Sequence, residues 1–197
     1  MTFLQFYGLM VLINSPLKFT REAINVKNTK VRTTIQGAKR VGVFLDFSNI
    51  SAGALQVRQA RINYYQLLLE ATSGRQLISA TAYCVRGEEE DITGFYEQLK
   101  IFGYRIRSKV AKVYPNGQRK GNWDVGMAVD AIIMAPKLDV VVIVSGDGDF
   151  VDLIEPLHSH GCSVEVFAFR QNTSNDLRDA SDRYVDLDND IFIMPWY

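Results

Sequence analysis

Four aspartates stand out by their position. Asp46 ends a short apolar run, within Asp46-Phe47-Ser48-Asn49. Asp147 and Asp149 follow the most strand-like run of the chain, within Ser145-Gly146-Asp147-Gly148-Asp149, and Asp124 opens the helical stretch that leads into that run. Carboxylates gathered at one point repel one another, and their pKa values rise unless a cation neutralises them. Three or four oxygen-only ligands suit Mg²⁺ or Mn²⁺. Such an ion polarises a phosphoryl oxygen and makes a water more acidic. The chemistry to expect is phosphodiester hydrolysis without a protein nucleophile.

Each residue also has a structural explanation. Asp149 with Asp152 has the look of a helix cap and its partner. Asp147, between two glycines, fits a turn, and Asp124 complements a helix macrodipole. Asp46 has the weakest structural excuse, because a carboxylate ending a buried strand needs a partner. Ser48 and Asn49 can cap the next helix, and Asn49 can equally hold a water or a phosphate. Ser145 is a supporting residue of the Asp147 loop. Asp130 lies six residues after Asp124, about 120° around a helix, which favours a supporting or structural role over shared ligation.

Other chemistries fit less well. A dehalogenase-type phosphatase needs an acid where Ser48 stands. The two histidines, His158 and His160, are two apart at a helix end, unsuited to zinc or a triad. No glycine-rich nucleotide-cradling loop is present.

The elements that must position these acids alternate. Short apolar runs at 41–46, 76–85, 139–145 and 163–169 read as buried strands, with a further strand at 184–187. Helical patterns cover 62–71, 88–102, 123–135, 149–160 and 172–180, several ended by Gly103, Pro136 or Gly161. Residues 104–114 alternate as one strand or a bent pair, closing at Pro115-Asn116-Gly117. This order predicts an α/β fold with a central, mostly parallel sheet and helices on both faces. In such sheets the site lies beyond the carboxyl ends of the strands, where strand order reverses.

The 197 residues, 47% of them hydrophobic, suffice for one real core and exclude wholesale disorder. Net charge is zero but unevenly divided. Between residues 14 and 40 seven cations face one acid, leaving 15 basic and 21 acidic side chains in the body. An acidic body repels phosphates unless a cation or a local basic surface intervenes. Residues 1–40 read as a poorly ordered basic arm, 41–190 as the domain, and 191–197 as an apolar tail that either packs back or meets a partner. The stretch 2–13 is apolar but short and lacks a preceding basic region, so it does not read as a signal peptide. No run is long enough to span a membrane. Cys84 and Cys162 lie far apart in apolar surroundings, which points to buried free thiols and a cytoplasmic location.

Taken as an ordered set, VGVFLDFSN at 41–49, KGNWDVGMAVD at 120–130, VSGDGDF at 144–150 and Ser181-Asp182-Arg183-Tyr184 resemble the NYN domain, in its LabA-like branch. The resemblance covers about residues 41–188. It implies a PIN-like Rossmannoid three-layer fold, an acidic pocket for Mg²⁺ or Mn²⁺, and a ribonuclease that leaves 5′-phosphate and 3′-hydroxyl ends. By motif match, Asp46, Asp124, Asp147 and Asp149 carry the family's acids, Asn49 its D-x-x-N asparagine, and Asp130 a recurrent acid of unassigned role. The alternative is a non-catalytic PIN-like regulator that binds RNA or protein and retains the cation site.

Substrate contacts are expected from Arg105, Arg107, Lys109, Lys112, Arg119 and Lys120, six cations with no acid among them. A basic rim beside an acidic pocket serves a phosphate backbone, although a solvated edge strand explains the same charges. Tyr104, Tyr114 and Trp123 can stack on unpaired bases, which suits single-stranded RNA. Arg58 and Arg61 can extend that surface. A homodimer or a protein partner stays open.

Overall fold

The computed structural model describes residues 37–87, 92–115 and 119–195, with the side chains of Arg119 and Lys120 outside that description. The basic arm up to residue 36, the acids at 88–91, Asn116, Gly117 and Trp196 therefore lie outside the described residues.

The chain runs β1 (Arg40–Asp46), α1 (Phe47–Arg58), β2 (Arg61–Ile62), α2 (Tyr64–Thr72), β3 (Gln76–Arg86), α3 (Thr93–Phe102) and β4 (Arg105–Val110). A short hairpin, β5 (Lys112–Val113) and β6 (Arg119–Lys120), precedes α4 (Asp124–Met134). Then come β7 (Val140–Val144), α5 (Val151–Ser159), β8 (Ser163–Ala168), α6 (Asn175–Ala180), β9 (Arg183–Asp186) and β10 (Ile193–Met194).

Six strands form one sheet in the order β4-β3-β1-β7-β8-β9, every ladder parallel. The runs read as central strands are the ones buried on both faces: β7 is buried throughout, and Val41 to Leu45 of β1 are buried. From β1 the chain moves outward to β3 and β4, then returns to β7 and moves the other way. Right-handed crossovers of opposite march place α1–α3 on one face and α4–α6 on the other. β1 and β7 are thus the neighbours at which strand order reverses, with Leu45 opposite Val144.

Element ends differ from the sequence reading in informative ways. Of the two readings of 104–114 the bent pair is the one found: the chain breaks at Ala111, whose N–H donates to the Arg86 carbonyl at 2.9 Å, and β5 pairs with β6. The helix placed at 149–160 starts only at Val151, because Gly148–Phe150 forms a 3₁₀ turn. Gly103 ends α3 at φ +108°, a conformation that a Cβ disfavours. The described part of the tail packs back: Phe192 is buried, and β10 pairs antiparallel with β2. Both cysteines are free and buried, and burial pushes the Cys84 thiol up to about 12. Among the described residues no helix is long and apolar enough to cross a membrane.

Candidate metal centre

The aspartates converge at the switch point. Asp46 is the last residue of β1, and Asp147 and Asp149 lie in the loop after β7. Asp124 occupies the first turn of α4. One carboxylate oxygen from each of Asp124, Asp147 and Asp149 lies within 4.8 Å of the other two. Asp46 is not a member of that triad, yet it lines the same cleft of about 300 Å³, together with Ser48, Asn49, Asn122 and Trp123.

The loops are built to hold these groups. Asp147 accepts the Asp149 N–H at 3.0 Å, and its own N–H donates to Ser145 Oγ at 3.2 Å. Ser145 is fully buried at the end of β7, so the loop hangs from a fixed point. Asn49 Oδ1 accepts the Gly146 N–H at 3.0 Å, joining the loop after β1 to the loop after β7. On its other side, Gly146 accepts the Ser174 N–H at 3.1 Å.

The structure redistributes the capping roles. Asp46 itself caps α1 by accepting the Asn49 N–H at 3.1 Å, so it has the structural employment that its sequence position did not suggest. Asp149 caps nothing: the cap position of α5 is Phe150, and Asp147 is the side chain that closes the preceding turn.

Electrostatics mark the cleft as strained without a counter-charge. Burial pushes the Asp46 carboxyl up to about 6, and the charges of Asp124 and Asp147 push the same way against the Asn49 hydrogen bond. Asp124 is raised too, first by burial and then by Asp147 and Asp149. Clustered carboxylates with oxygen donors only fit a hard divalent cation, which would relieve this repulsion. Ser48 lines the cleft, and its Oγ is buried without a protein hydrogen-bond partner.

The remaining expected residues separate into two groups. Asp130 lies away from the cleft and accepts hydrogen bonds from Arg107 and from the Tyr83 hydroxyl, the latter at 2.7 Å. Arg107 is thereby paired with Asp130, and its guanidinium also stacks 4.8 Å from the Trp123 ring. Lys109 lies over the same ring at 4.6 Å. Arg105 is exposed on β4, and Lys112 is exposed on β5. Tyr104 is a correction: it is buried, with its hydroxyl donating to the Tyr64 carbonyl at 3.0 Å, and cannot reach a base. Trp123 donates its indole N–H to the Cys84 carbonyl at 2.8 Å, which fixes the orientation of a ring that lines the cleft. Arg58 is engaged too, in ion pairs with Asp188 and Asp190. Sequence reasoning missed Asn122, whose side-chain amide donates to Asp124. Its place two residues before the helical acid is the only signal it left.

Residues 40–188 match the NYN domain family. Over 122 residues the chain is 34% identical to the low amplitude and bright protein LabA of Synechococcus elongatus, a match covering 59% of this chain. It spans 65% of that relative's length. The crystal structure of a protein of unknown function from Vibrio parahaemolyticus superposes with a TM-score of 0.73 at 30% identity. That superposition covers 80% of this chain and 97% of the other.

Proposed function

Because the chain belongs to the NYN domain family, a group of PIN-like nucleases, we propose that it is a divalent-cation-dependent endoribonuclease. The observation that carries this reading is the meeting of Asp124, Asp147 and Asp149 at the sheet's switch point, with Asp46 in the same cleft. These residues would hold Mg²⁺ or Mn²⁺, with Asp46 completing the wall. When bound, such a cation supplies Lewis-acid polarisation of the scissile phosphate and charge neutralisation of the cleft.

The chain's own groups do the rest. Ser145 Oγ holds the Asp147 backbone N–H and the Asp149 N–H holds one Asp147 carboxylate oxygen, so that oxygen needs no reordering when substrate arrives. Asn49 keeps the two acid-bearing loops in register. Asp46, in the wall of the same cleft, is the side chain assigned to take the proton of the attacking water. The water oxygen bonds to phosphorus as the P–O3′ bond breaks, and the leaving 3′ oxygen takes a proton from solvent, giving a 5′-phosphate and a 3′-hydroxyl. Lys109 and Lys112, at the edge of the cleft, counter the repulsion between an acidic body and a phosphate backbone.

The test is RNA cleavage by the purified chain with Mg²⁺ or Mn²⁺, with EDTA, and with Asp147→Asn. The reading requires cutting that depends on the ion and disappears in the variant. Cutting that survives both chelation and substitution, or no cutting over varied RNAs, refutes it; the latter leaves a non-catalytic regulator.

A further inference from the structure

A second cavity of about 270 Å³ adjoins the acidic cleft, lined by Lys109, Val110, Lys112, Tyr114, Gly121 and Asn122. Gly121 and Asn122 line both, so the two form one continuous surface with an acidic end and a basic, aromatic end. Resting on the nuclease reading above, we propose that the second cavity seats one unpaired nucleotide of single-stranded RNA flanking the phosphate to be cut. Tyr114 is the platform for its base, and Lys109 with Lys112 holds its phosphate.

The assignment follows from which groups remain available. Of the three aromatic residues expected to stack on bases, Tyr104 is buried and hydrogen-bonded inward. Trp123 is pinned by its indole N–H, and Arg107 and Lys109 lie over its ring. Tyr114 is 45% exposed and lines the cavity. Of the cations whose side chains are described, Arg107 is paired with Asp130, and Arg105 lines neither cavity. Lys109 and Lys112 line the second one. A base stacked on one aromatic face, with its phosphate near two ammonium groups, is the way unpaired nucleotides are held without sequence reading. A duplex cannot use such a platform, since its bases are already stacked on one another.

The experiment measures binding, not turnover. Fluorescence anisotropy of a labelled single-stranded RNA octamer is recorded on Asp147→Asn protein, with further substitutions on that background. Tyr114→Ala should weaken binding roughly 5- to 30-fold, while Tyr114→Phe keeps it within about twofold. Lys112→Ala should weaken binding and reduce the salt slope by about one. A blunt duplex of the same sequence should be indifferent to Tyr114→Ala. Parental affinity in Tyr114→Ala, or equal losses on single strand and duplex, overturns the subsite. If the wild-type chain cuts no RNA while the Tyr114 pattern holds, the subsite stands and the nuclease reading alone falls.

Discussion

Asn49 Oδ1 accepts the N–H of Gly146 at 3.0 Å, across 97 positions of sequence. The bond ties the first turn of α1 to the loop that carries Asp147, and so sets the distance between the two halves of the acidic cleft. Asn49→Ala removes the acceptor and leaves a part-buried N–H unsatisfied. We expect a loss of about 1–2 kcal/mol of stability. The stabilisation given by Mn²⁺ should shrink as well, because the Asp147 loop is no longer held in place. Thermal unfolding with and without Mn²⁺ checks both effects; an unchanged melting temperature and an unchanged metal response contradict the linkage.

Gly146 cannot accept a side chain. A Cβ there would lie 2.5 Å from the Asn172 carbonyl oxygen and 3.0 Å from Thr173 Oγ1. The obstacle is backbone, so relief requires moving the segment before α6. Gly146→Ala is predicted to cost about 1–3 kcal/mol by overpacking and to lower metal response more than it lowers helix content. Circular dichroism beside a Mn²⁺ titration separates the two.

Between about pH 4 and pH 6 the Asp46 carboxyl should make the metal-free protein lose stability as pH rises. The folded Asp46 carboxyl sits at about 6, above its ordinary value of 3.8, so the native state binds a proton that the unfolded chain lacks between those values. The stabilisation is complete below the ordinary value and is lost as pH climbs through about 6. Asp46→Asn, neutral and still able to accept the Asn49 N–H, should stabilise the metal-free protein by on the order of 2–3 kcal/mol near pH 7.5. The gain should fade as pH is lowered through 6. Urea unfolding at several pH values in EDTA measures it, and a variant less stable than wild type at pH 7.5 refutes the buried-charge account.

Asp130 is predicted to matter for shape and not for metal. It accepts from Arg107 and Tyr83 and lines no part of the cleft, so Asp130→Asn should cost about 1 kcal/mol through a weakened, partly exposed pair. Its apparent Mn²⁺ affinity should stay within about twofold of wild type by isothermal titration calorimetry. A tenfold drop in affinity, with stability unchanged, would place Asp130 among the ligands.

Much of this arrangement was legible in the chain itself. β1 and β7 announce themselves as unbroken apolar runs because a parallel sheet buries both faces, and their ends then locate Asp46 and Asp147 by the switch-point rule. What stayed hidden depends on contacts between distant elements. The alternation of β4 says that Arg105, Arg107 and Lys109 share a face, but not that Asp130, 23 positions from Arg107, takes that guanidinium. Tyr104 and Tyr114 have the same residue type and flank the same segment. Only the packing of α2 against that segment's start shows that one hydroxyl is satisfied indoors while the other ring faces solvent. The Asp46 cap is hidden in the sequence for a local reason: the same residue ends a buried strand and caps the helix that follows at once.

The proposed nuclease needs one divalent cation held jointly by Asp124, Asp147 and Asp149. Isothermal titration of Mn²⁺ into the wild-type chain and into Asp147→Asn tests it most directly. Saturable binding to the wild type and at least a tenfold weaker affinity in the variant are expected. Absence of binding to the wild type, or equal affinities in the two proteins, contradicts it.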